Sequence, residues 1–186
     1  SPPPVADAAR ELGLDLHQTA SVNEGGSRSA LLESGAGIGI VCAFGQLIGP
    51  ELLAAMPIIN AHPSLLPRWR GAAPIERAIM AGDGVTGTCV MRLTEGLDSG
   101  PVALRSEAPI AADDTYGSLA PRLADLSGSL LVEALDLWAA GALEERFVPQ
   151  DDAEATYAEK IERDDRLVDT ALPAAEVDRR IRALTP

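Results

Sequence analysis

The stretch of residues 38–62, IGIVCAFGQLIGPELLAAMPIINAH, decides the fold that this sequence predicts. It opens with the continuous apolar run 38–44, which is typical of a buried central strand in a parallel sheet. The Gly49-Pro50 pair interrupts the chain, and a short helix is predicted over residues 51–56. A second apolar strand follows at residues 57–62. Strand, helix and strand in this order indicate an α/β sheet.

Helices and strands continue to alternate on both sides of this stretch. Upstream, the spacing predicts a helix over residues 5–12, a short strand at 14–18 and a short helix near 27–34. Downstream, the predicted elements are a helix at 73–82, strands at 85–93 and 102–110, and a long helix at 115–141 that Asp114 or Thr115 can cap. The whole pattern favours an open α/β sheet with flanking helices.

Composition excludes several classes of protein. The chain has 186 residues, of which 46% are hydrophobic, so it suits one folded domain or one domain plus part of another. Its apolar runs are too short to span a bilayer, so we expect no membrane-spanning helix. The net charge is −13, from 28 acidic and 15 basic residues. A basic nucleic-acid-binding face over the whole chain is therefore excluded, and any RNA contact needs a local basic patch or a segment absent here.

Two cysteines and the two chain ends carry further expectations. Cys42 and Cys89 each lie in an apolar run, which predicts buried, reduced thiols and a cytoplasmic protein. The chain opens with Ser1 rather than Met and stops straight after a helical pattern, so both ends are expected to be cut rather than natural. The sequence changes style after Glu144, with a polar linker at 150–155 and an Arg-rich amphipathic helix at 173–184. We place a domain boundary near residue 150, between regions 1–150 and 151–186.

Asn60 and His62 are the first candidate site residues. They follow Ile58 and Ile59 at the end of a predicted strand, and a spacing of two puts both side chains on one face. Ligands bind at the carboxyl ends of strands in open α/β sheets. An imidazole can move a proton near neutral pH, and an amide can donate to a developing oxyanion, so the pair suits acyl transfer to an amine. The alternative is a polar strand end with satisfied hydrogen bonds, which an Asn-x-His pattern alone would favour.

A second candidate is Asp98, in the segment Glu95-Gly-Leu-Asp-Ser-Gly100 after the next predicted strand. Its carboxylate could orient His62 and favour the charged form of the ring. The alternative is an ordinary Asp-Ser-Gly turn. The glycines at 35, 37 and 39 do not form a dinucleotide fingerprint, and two histidines with two scattered cysteines do not make a zinc site. No metal is therefore predicted.

The segment from Asn60 to Pro67, Asn-Ala-His-Pro-Ser-Leu-Leu-Pro, together with Asp98 in its glycine loop, resembles enzymes that use 10-formyltetrahydrofolate as formyl donor. Within that family, the run RWRGAAPIERAI at 68–79 and the segment 95–100 are similar to the methionyl-tRNA formyltransferases. Weaker agreement extends over nearly the whole chain. The resemblance implies an open, mostly parallel Rossmann-like sheet, followed by the start of a barrel-like carboxy-terminal domain that helps to hold tRNA.

The resemblance also implies roles for individual residues. Asn60 would bond the formyl oxygen as it becomes an oxyanion, His62 would assist proton transfer as the amine attacks, and Asp98 would position and charge His62. Two segments would line the folate site, one formed by Ser64, Leu65, Leu66 and Pro67, and the other, near the pterin, by Phe44, Gly45, Gln46 and Leu47. The implied reaction moves a formyl group from 10-formyltetrahydrofolate to the α-amine of initiator methionyl-tRNA, without a metal and in a monomer.

Two alternatives to this function stay open. One is a sibling enzyme with the same donor and another acceptor, which could be glycinamide ribonucleotide, an amino sugar nucleotide or water. The other is a catalytically silent folate- or RNA-binding module. Arg68 and Arg70 have two interpretations as well, either surface arginines that open a helix or contacts to a phosphate or to the folate glutamate.

Overall fold

The computed structural model describes residues 3–169 and 171–186, and the described part contains six α-helices, three short 3₁₀ helices and six strands. Ser1 and Pro2, the first residues of the predicted region 1–150, and Thr170 in the region 151–186 lie outside the described residues. In chain order the elements are α1 (Pro4–Glu11), α2 (Gly25–Glu33), β1 (Gly39–Cys42), α3 (Pro50–Ala55), β2 (Ile58–His62), β3 (Arg70–Gly71), α4 (Pro74–Ala81), β4 (Val85–Arg92), β5 (Val102–Pro109), α5 (Tyr116–Ala139), β6 (Tyr157–Ala158) and α6 (Ala174–Ala183).

Four strands form the central sheet in the order β1-β2-β4-β5, which confirms the predicted α/β fold with flanking helices. The prediction of a mostly parallel sheet is wrong, because β1 and β2 are parallel while β2–β4 and β4–β5 are antiparallel. His62 pairs with Cys89, so the first residues of β4 extend beyond the end of β2. The chain thus re-enters the sheet from the end at which β2 leaves it. The short connection from β4 to β5 permits only an antiparallel pair.

Helix α5 covers one face of the sheet. Its residues Leu130 and Ala134 pack against Ile59 of β2 and Val90 of β4 in one buried cluster. The helix begins at a capping box, in which the Thr115 hydroxyl accepts from the Ser118 backbone N–H and the Ser118 hydroxyl accepts from the Thr115 N–H. The predicted long helix is therefore confirmed with Thr115 as its cap.

The region after residue 150 packs against the earlier part of the chain. Strand β6 pairs with β3 in a two-stranded parallel sheet, and Ala183 of α6 joins the cluster that contains Ile79 of α4. The Arg77 guanidinium donates to the Asp165 carboxylate at 2.8 and 2.9 Å. The domain boundary near residue 150 stays a prediction, as does a barrel-like domain beyond it.

Three expectations about the amino-terminal third are wrong. Residues 14–18 form no strand, because alternation without a neighbouring strand to pair with does not hold an extended segment in place. Strand β1 is an edge strand of the described sheet rather than a central one, and Ile40 is 44% exposed. Cys42, on the same strand, is exposed as well, whereas Cys89 is buried as predicted. Within the described residues, no helix is long and apolar enough to cross a membrane.

Candidate active site

Asn60 and His62 lie on the face of β2 that points away from α5. Their neighbour Ile59 packs against α5, so the alternation of a strand directs Asn60 and His62 to the opposite face. Their cross-strand partners there are Met91 and Cys89 of β4. Both polar residues are largely buried, with Asn60 8% and His62 4% exposed. The two predicted side chains are therefore brought to one sheltered face.

Both nitrogens of the His62 ring face acceptors. Nε2 lies 2.8 Å from the carbonyl oxygen of Trp69, and Nδ1 lies 3.6 Å from Oδ2 of Asp98. A neutral imidazole carries one N–H donor, so the ring can donate to both partners only when each nitrogen holds a proton. The structure therefore brings Asp98 to His62, as the sequence predicts.

Asp98 reaches His62 by a path that the sequence did not indicate. Strand β4 is antiparallel to β2, so it ends at Arg92, opposite Ile59 rather than beside His62. The connection of residues 93–101, called the Asp98 loop below, extends from there toward His62. The Gly71 N–H donates at 2.9 Å to Oδ2 of Asp98, the same oxygen that lies 3.6 Å from Nδ1 of His62.

Gly71 can occupy its position because it has no side chain. Its φ of +117° is unfavourable for other residues, and an added Cβ would lie 2.7 Å from the carbonyl oxygen of Ala158 on β6. The close approach of β6 to β3 therefore requires a glycine here, and the same residue supplies the N–H that orients Asp98.

Asn60 is 8% exposed, its side-chain amide makes no hydrogen bond to another residue in the described ranges, and its polar atoms keep some contact with solvent. An amide that lies on this sheltered face beside His62 without a partner in the protein is available to a ligand, which is the property that an oxyanion donor needs.

The predicted folate segment from Ser64 to Pro67 turns two of its side chains inward. The Ser64 hydroxyl donates to the carbonyl oxygen of Arg68 at 2.6 Å, and Ser64 has no exposed surface. Leu66 is 1% exposed and packs against Cys89 and Met91. Only Leu65 and Pro67 are partly exposed. A ligand at this segment would therefore meet backbone groups and these two side chains.

The second predicted folate segment, Phe44, Gly45, Gln46 and Leu47, follows β1. Cys42 of β1 pairs with Ala61 of β2, so this loop and the loop after His62 leave the sheet at the same end. Asn23 anchors the loop, because its side-chain amide donates to the Leu47 carbonyl and accepts from the Gly49 N–H. The Gln46 amide donates to the carbonyl of Ala20. The contacts of this loop with a folate stay a prediction.

Arg68 and Arg70 have different environments. The Arg68 guanidinium donates to Asp83 at 2.6 and 2.9 Å and lies 4.4 Å from the centre of the Trp69 ring. Arg70 is 3% exposed and donates to Gln150 and Asp152. Arg70 is therefore neither a surface arginine nor a free contact for a phosphate.

Sequence reasoning missed three residues that shape the site: Trp69, Gly71 and Gln150. Gly71 alone carried a detectable signal, since a glycine next to a strand suggests a close backbone approach. Burial raises the pKa of the neighbouring Cys89 thiol. Among the described residues, no group of three or more His, Cys, Asp or Glu side chains could hold a metal ion.

Residues 3–135 match the family model described as formyl transferase. The chain is 45% identical, over 188 aligned residues, to the methionyl-tRNA formyltransferase of Dechloromonas aromatica, covering all of this chain and 59% of that protein. It is 44% identical to the methionyl-tRNA formyltransferase of Ruegeria pomeroyi, covering 61% of that protein. The chain thus spans about three-fifths of the length of these curated relatives.

Two solved structures show the same fold at low identity. A sugar N-formyltransferase from a Shewanella species superposes with a TM-score of 0.74 at 20% identity, covering 96% of this chain and 70% of that one. HypX from Aquifex aeolicus, in complex with tetrahydrofolic acid, superposes with a TM-score of 0.72 at 21% identity, covering 84% of this chain and 27% of that one. These matches confirm the mixed α/β fold.

Proposed function

The chain belongs to the formyl transferase family, and we propose that it transfers a formyl group from 10-formyltetrahydrofolate to the α-amino group of initiator methionyl-tRNA. The observation that carries this proposal is that Asn60 and His62 are buried on one face of the sheet, with the Asp98 carboxylate of the adjoining loop beside His62. The relatives at 44–45% identity support the choice of acceptor, because both are methionyl-tRNA formyltransferases. The reaction belongs to translation initiation in the cytoplasm, and the proposed partners of a monomeric enzyme are this tRNA and the folate.

The chemistry is an acyl transfer between two nitrogen atoms. The α-amine attacks the formyl carbon, a new C–N bond forms, and the bond from that carbon to the folate nitrogen breaks. One proton leaves the amine and one reaches the folate nitrogen. Negative charge builds on the formyl oxygen between these steps, and a preorganised donor there lowers the barrier. The unpaired amide of Asn60 suits this role.

His62 and Asp98 act as a second pair. With its Nδ1 beside Asp98 and its Nε2 bonded to the Trp69 carbonyl, the ring is fixed in orientation. To accept the amine proton, the ring must be neutral, with its proton on Nδ1 beside Asp98 and a lone pair on Nε2. We assign the opening of Nε2 to substrate binding, in which the amine replaces the Trp69 carbonyl there. The charged ring that forms when Nε2 takes the proton stabilises the tetrahedral intermediate.

Folate recognition is assigned to the two loops that leave the sheet beside His62. Backbone groups between Ser64 and Pro67 would read one edge of the pterin, and the loop from Phe44 to Leu47 would close over it. The region 151–186 is proposed to lead into a tRNA-binding domain. Most of the rate enhancement then comes from proximity and from the oxyanion donor, with no metal required.

Transfer of a labelled formyl group tests the proposal. This chain, and a chimera in which it replaces the matching segment of the Dechloromonas aromatica relative, are given 10-formyltetrahydrofolate and one of three acceptors: methionyl-tRNA, glycinamide ribonucleotide or an amino sugar nucleotide. We expect transfer to methionyl-tRNA in the chimera. Transfer to another acceptor, with none to methionyl-tRNA, would overturn the assignment.

A variant of the catalytic histidine gives the matched control. His62→Ala should lower the rate of transfer at least about 10²-fold, because general acid–base groups contribute on that scale. The unsubstituted relative serves as the positive control for the tRNA preparation. An unchanged rate in His62→Ala would show that the proposed site is not where transfer occurs.

A further inference from the structure

The side chain of Gln150 joins the Asp98 loop to strand β3. Its Nε2 donates to the carbonyl oxygen of Asp98 at 2.8 Å and to that of Gly100 at 2.7 Å. Its Oε1 accepts from Nε of Arg70 at 3.0 Å. The amide therefore uses both of its hydrogens on the loop and its oxygen on a buried guanidinium.

The Asp98 loop needs such a support. Asp98 has a φ of +45°, in the left-handed region that disfavours residues with a side chain. The neighbouring residues Glu95, Gly96 and Leu97 are exposed, so the outer side of the loop has no packing to hold it. Strained backbone persists where surrounding contacts determine it, and the two bonds from Gln150 act on the carbonyl groups on either side of Ser99.

Arg70 fixes the direction of the Gln150 amide. An amide can be turned by 180°, which would exchange its oxygen and nitrogen. The Arg70 Nε–H can only donate, so it selects the orientation in which Nε2 points at the two loop carbonyls. The next residue, Gly71, holds the Asp98 carboxylate itself. Two consecutive residues of β3 therefore control the backbone and the side chain of Asp98.

We propose that Gln150 is a positioning residue that holds the Asp98 carboxylate against His62. It touches neither of the reacting groups and acts through the loop backbone. The kinetic consequence rests on the proposed function, whereas the placement of Asp98 beside His62 can be measured without it.

The sharpest variant is Gln150→Glu, which keeps the size of the side chain. A carboxylate can still accept from Arg70, but it cannot donate to the carbonyls of Asp98 and Gly100, and it would repel them. We expect kcat to fall about 10- to 100-fold, because displacement of a catalytic group by about 1 Å costs on this scale. KM for both substrates should stay within about threefold, since the loop is not proposed to bind them.

Two controls separate positioning from general stability. Asp152→Ala removes the other partner of Arg70, and the Asp152 side chain is 83% exposed and makes no bond to the loop. Gln18→Ala removes an exposed glutamine that accepts from Arg10. Both variants should keep kcat within about twofold. Urea unfolding of all variants shows whether each one folds.

The imidazole ¹⁵N signals of His62 give a readout that does not require activity. The chain has two histidines, so the His62 signals are assigned by comparison with a His17→Gln sample. In Gln150→Glu the Nδ1 signal of His62 should move, because the carboxylate beside it is displaced, while the His17 signals stay in place. Asp152→Ala should leave both rings unchanged.

A double variant tests whether Gln150 acts through Asp98. Residues that work as a unit give non-additive effects. Adding Gln150→Glu to an Asp98→Asn enzyme should therefore lower kcat less than about twofold further. A loss equal to that of Gln150→Glu alone would overturn the proposal.

The remaining outcomes are also decisive. A folded Gln150→Glu protein with an unmoved His62 signal overturns the proposal, whatever its kcat. A moved signal together with an unchanged kcat shows that the placement of Asp98 does not govern the reaction, and this overturns the positioning role. A moved signal, together with no formyl transfer by the chimera that carries no substitution, supports the placement by Gln150 and refutes the proposed function instead.

Discussion

Replacement of Asn60 by leucine separates a functional amide from a structural one. The amide makes no hydrogen bond within the described residues and keeps some contact with solvent at 8% residue exposure, so its removal breaks no bond in the folded protein. Asn60→Leu keeps the branching of the side chain and leaves no protein donor or acceptor unpaired. We expect the free energy of unfolding to stay within about 1 kcal/mol of the wild-type value. Formyl transfer should fall about 10²- to 10³-fold, the scale measured for loss of an oxyanion donor.

Urea unfolding followed by tryptophan fluorescence gives the stability, and transfer of labelled formyl groups gives the activity. The control is Thr88→Val on the neighbouring strand, another buried polar residue. The Thr88 hydroxyl bonds to the His62 carbonyl at 3.1 Å and to the Ser127 hydroxyl at 2.8 Å. Its loss takes this partner from the buried Ser127 hydroxyl, while the His62 carbonyl keeps the bond from the Ser64 N–H. We expect that variant to lose about 1–3 kcal/mol. If Asn60→Leu lost as much, the amide would have a structural partner and the reasoning would be refuted.

Three further predictions concern stability and reactivity. Leu66→Ala should lower the free energy of unfolding by about 2–5 kcal/mol in urea titrations, because Leu66 is a core residue at 1% exposure. A loss under about 1 kcal/mol would contradict this core role. The hydrogen bonds from Arg77 hold the pKa of Asp165 below its usual value, so this pair stabilises the fold above about pH 4 and stabilises it less as the pH falls further. Asp165→Asn should therefore be less stable than wild type at pH 7. If the same difference in unfolding free energy persisted at pH 2, the ionised Asp165–Arg77 pair would not be its cause. An aromatic disulfide reagent should label the exposed Cys42 within minutes and Cys89 only on unfolding, because Cys89 is buried and burial raises the pKa of its thiol. Equal labelling rates for the two cysteines would contradict the burial of Cys89.

Local patterns predicted the elements that carry the site. Strand β2 follows from an apolar run with two polar residues at its end, and α5 follows from leucines at helical spacing with a Thr cap. The sequence also predicts the pairing of His62 with Asp98, two residues that each follow a predicted strand. In the structure the ends of these two strands lie apart, and the length of the Asp98 loop brings the residues together.

Long-range contacts decided what local patterns could not. The direction of β4 depends on the end at which the chain re-enters the sheet. The residues within the strand do not determine that end. The edge position of β1 depends on which strands lie beside it, because an apolar run occurs in edge strands and in central strands alike. Gln150 sits in a polar segment typical of a linker, and its partners are 50 to 80 residues away in sequence.

The bonds from Gln150 to the Asp98 loop affect how the protein matures during synthesis. Asn60, His62 and Asp98 leave the ribosome first, but the contacts that lock Asp98 come from a residue 52 positions later. At about 5–20 residues per second, those contacts arrive roughly 3–10 s after Asp98 is made. During that interval the sheet can form around β2 and β4 while the Asp98 loop is still unsupported. The sheet around β2 and β4 can therefore form before the Asp98 loop is fixed, and slow codons between positions 100 and 150 would lengthen that delay.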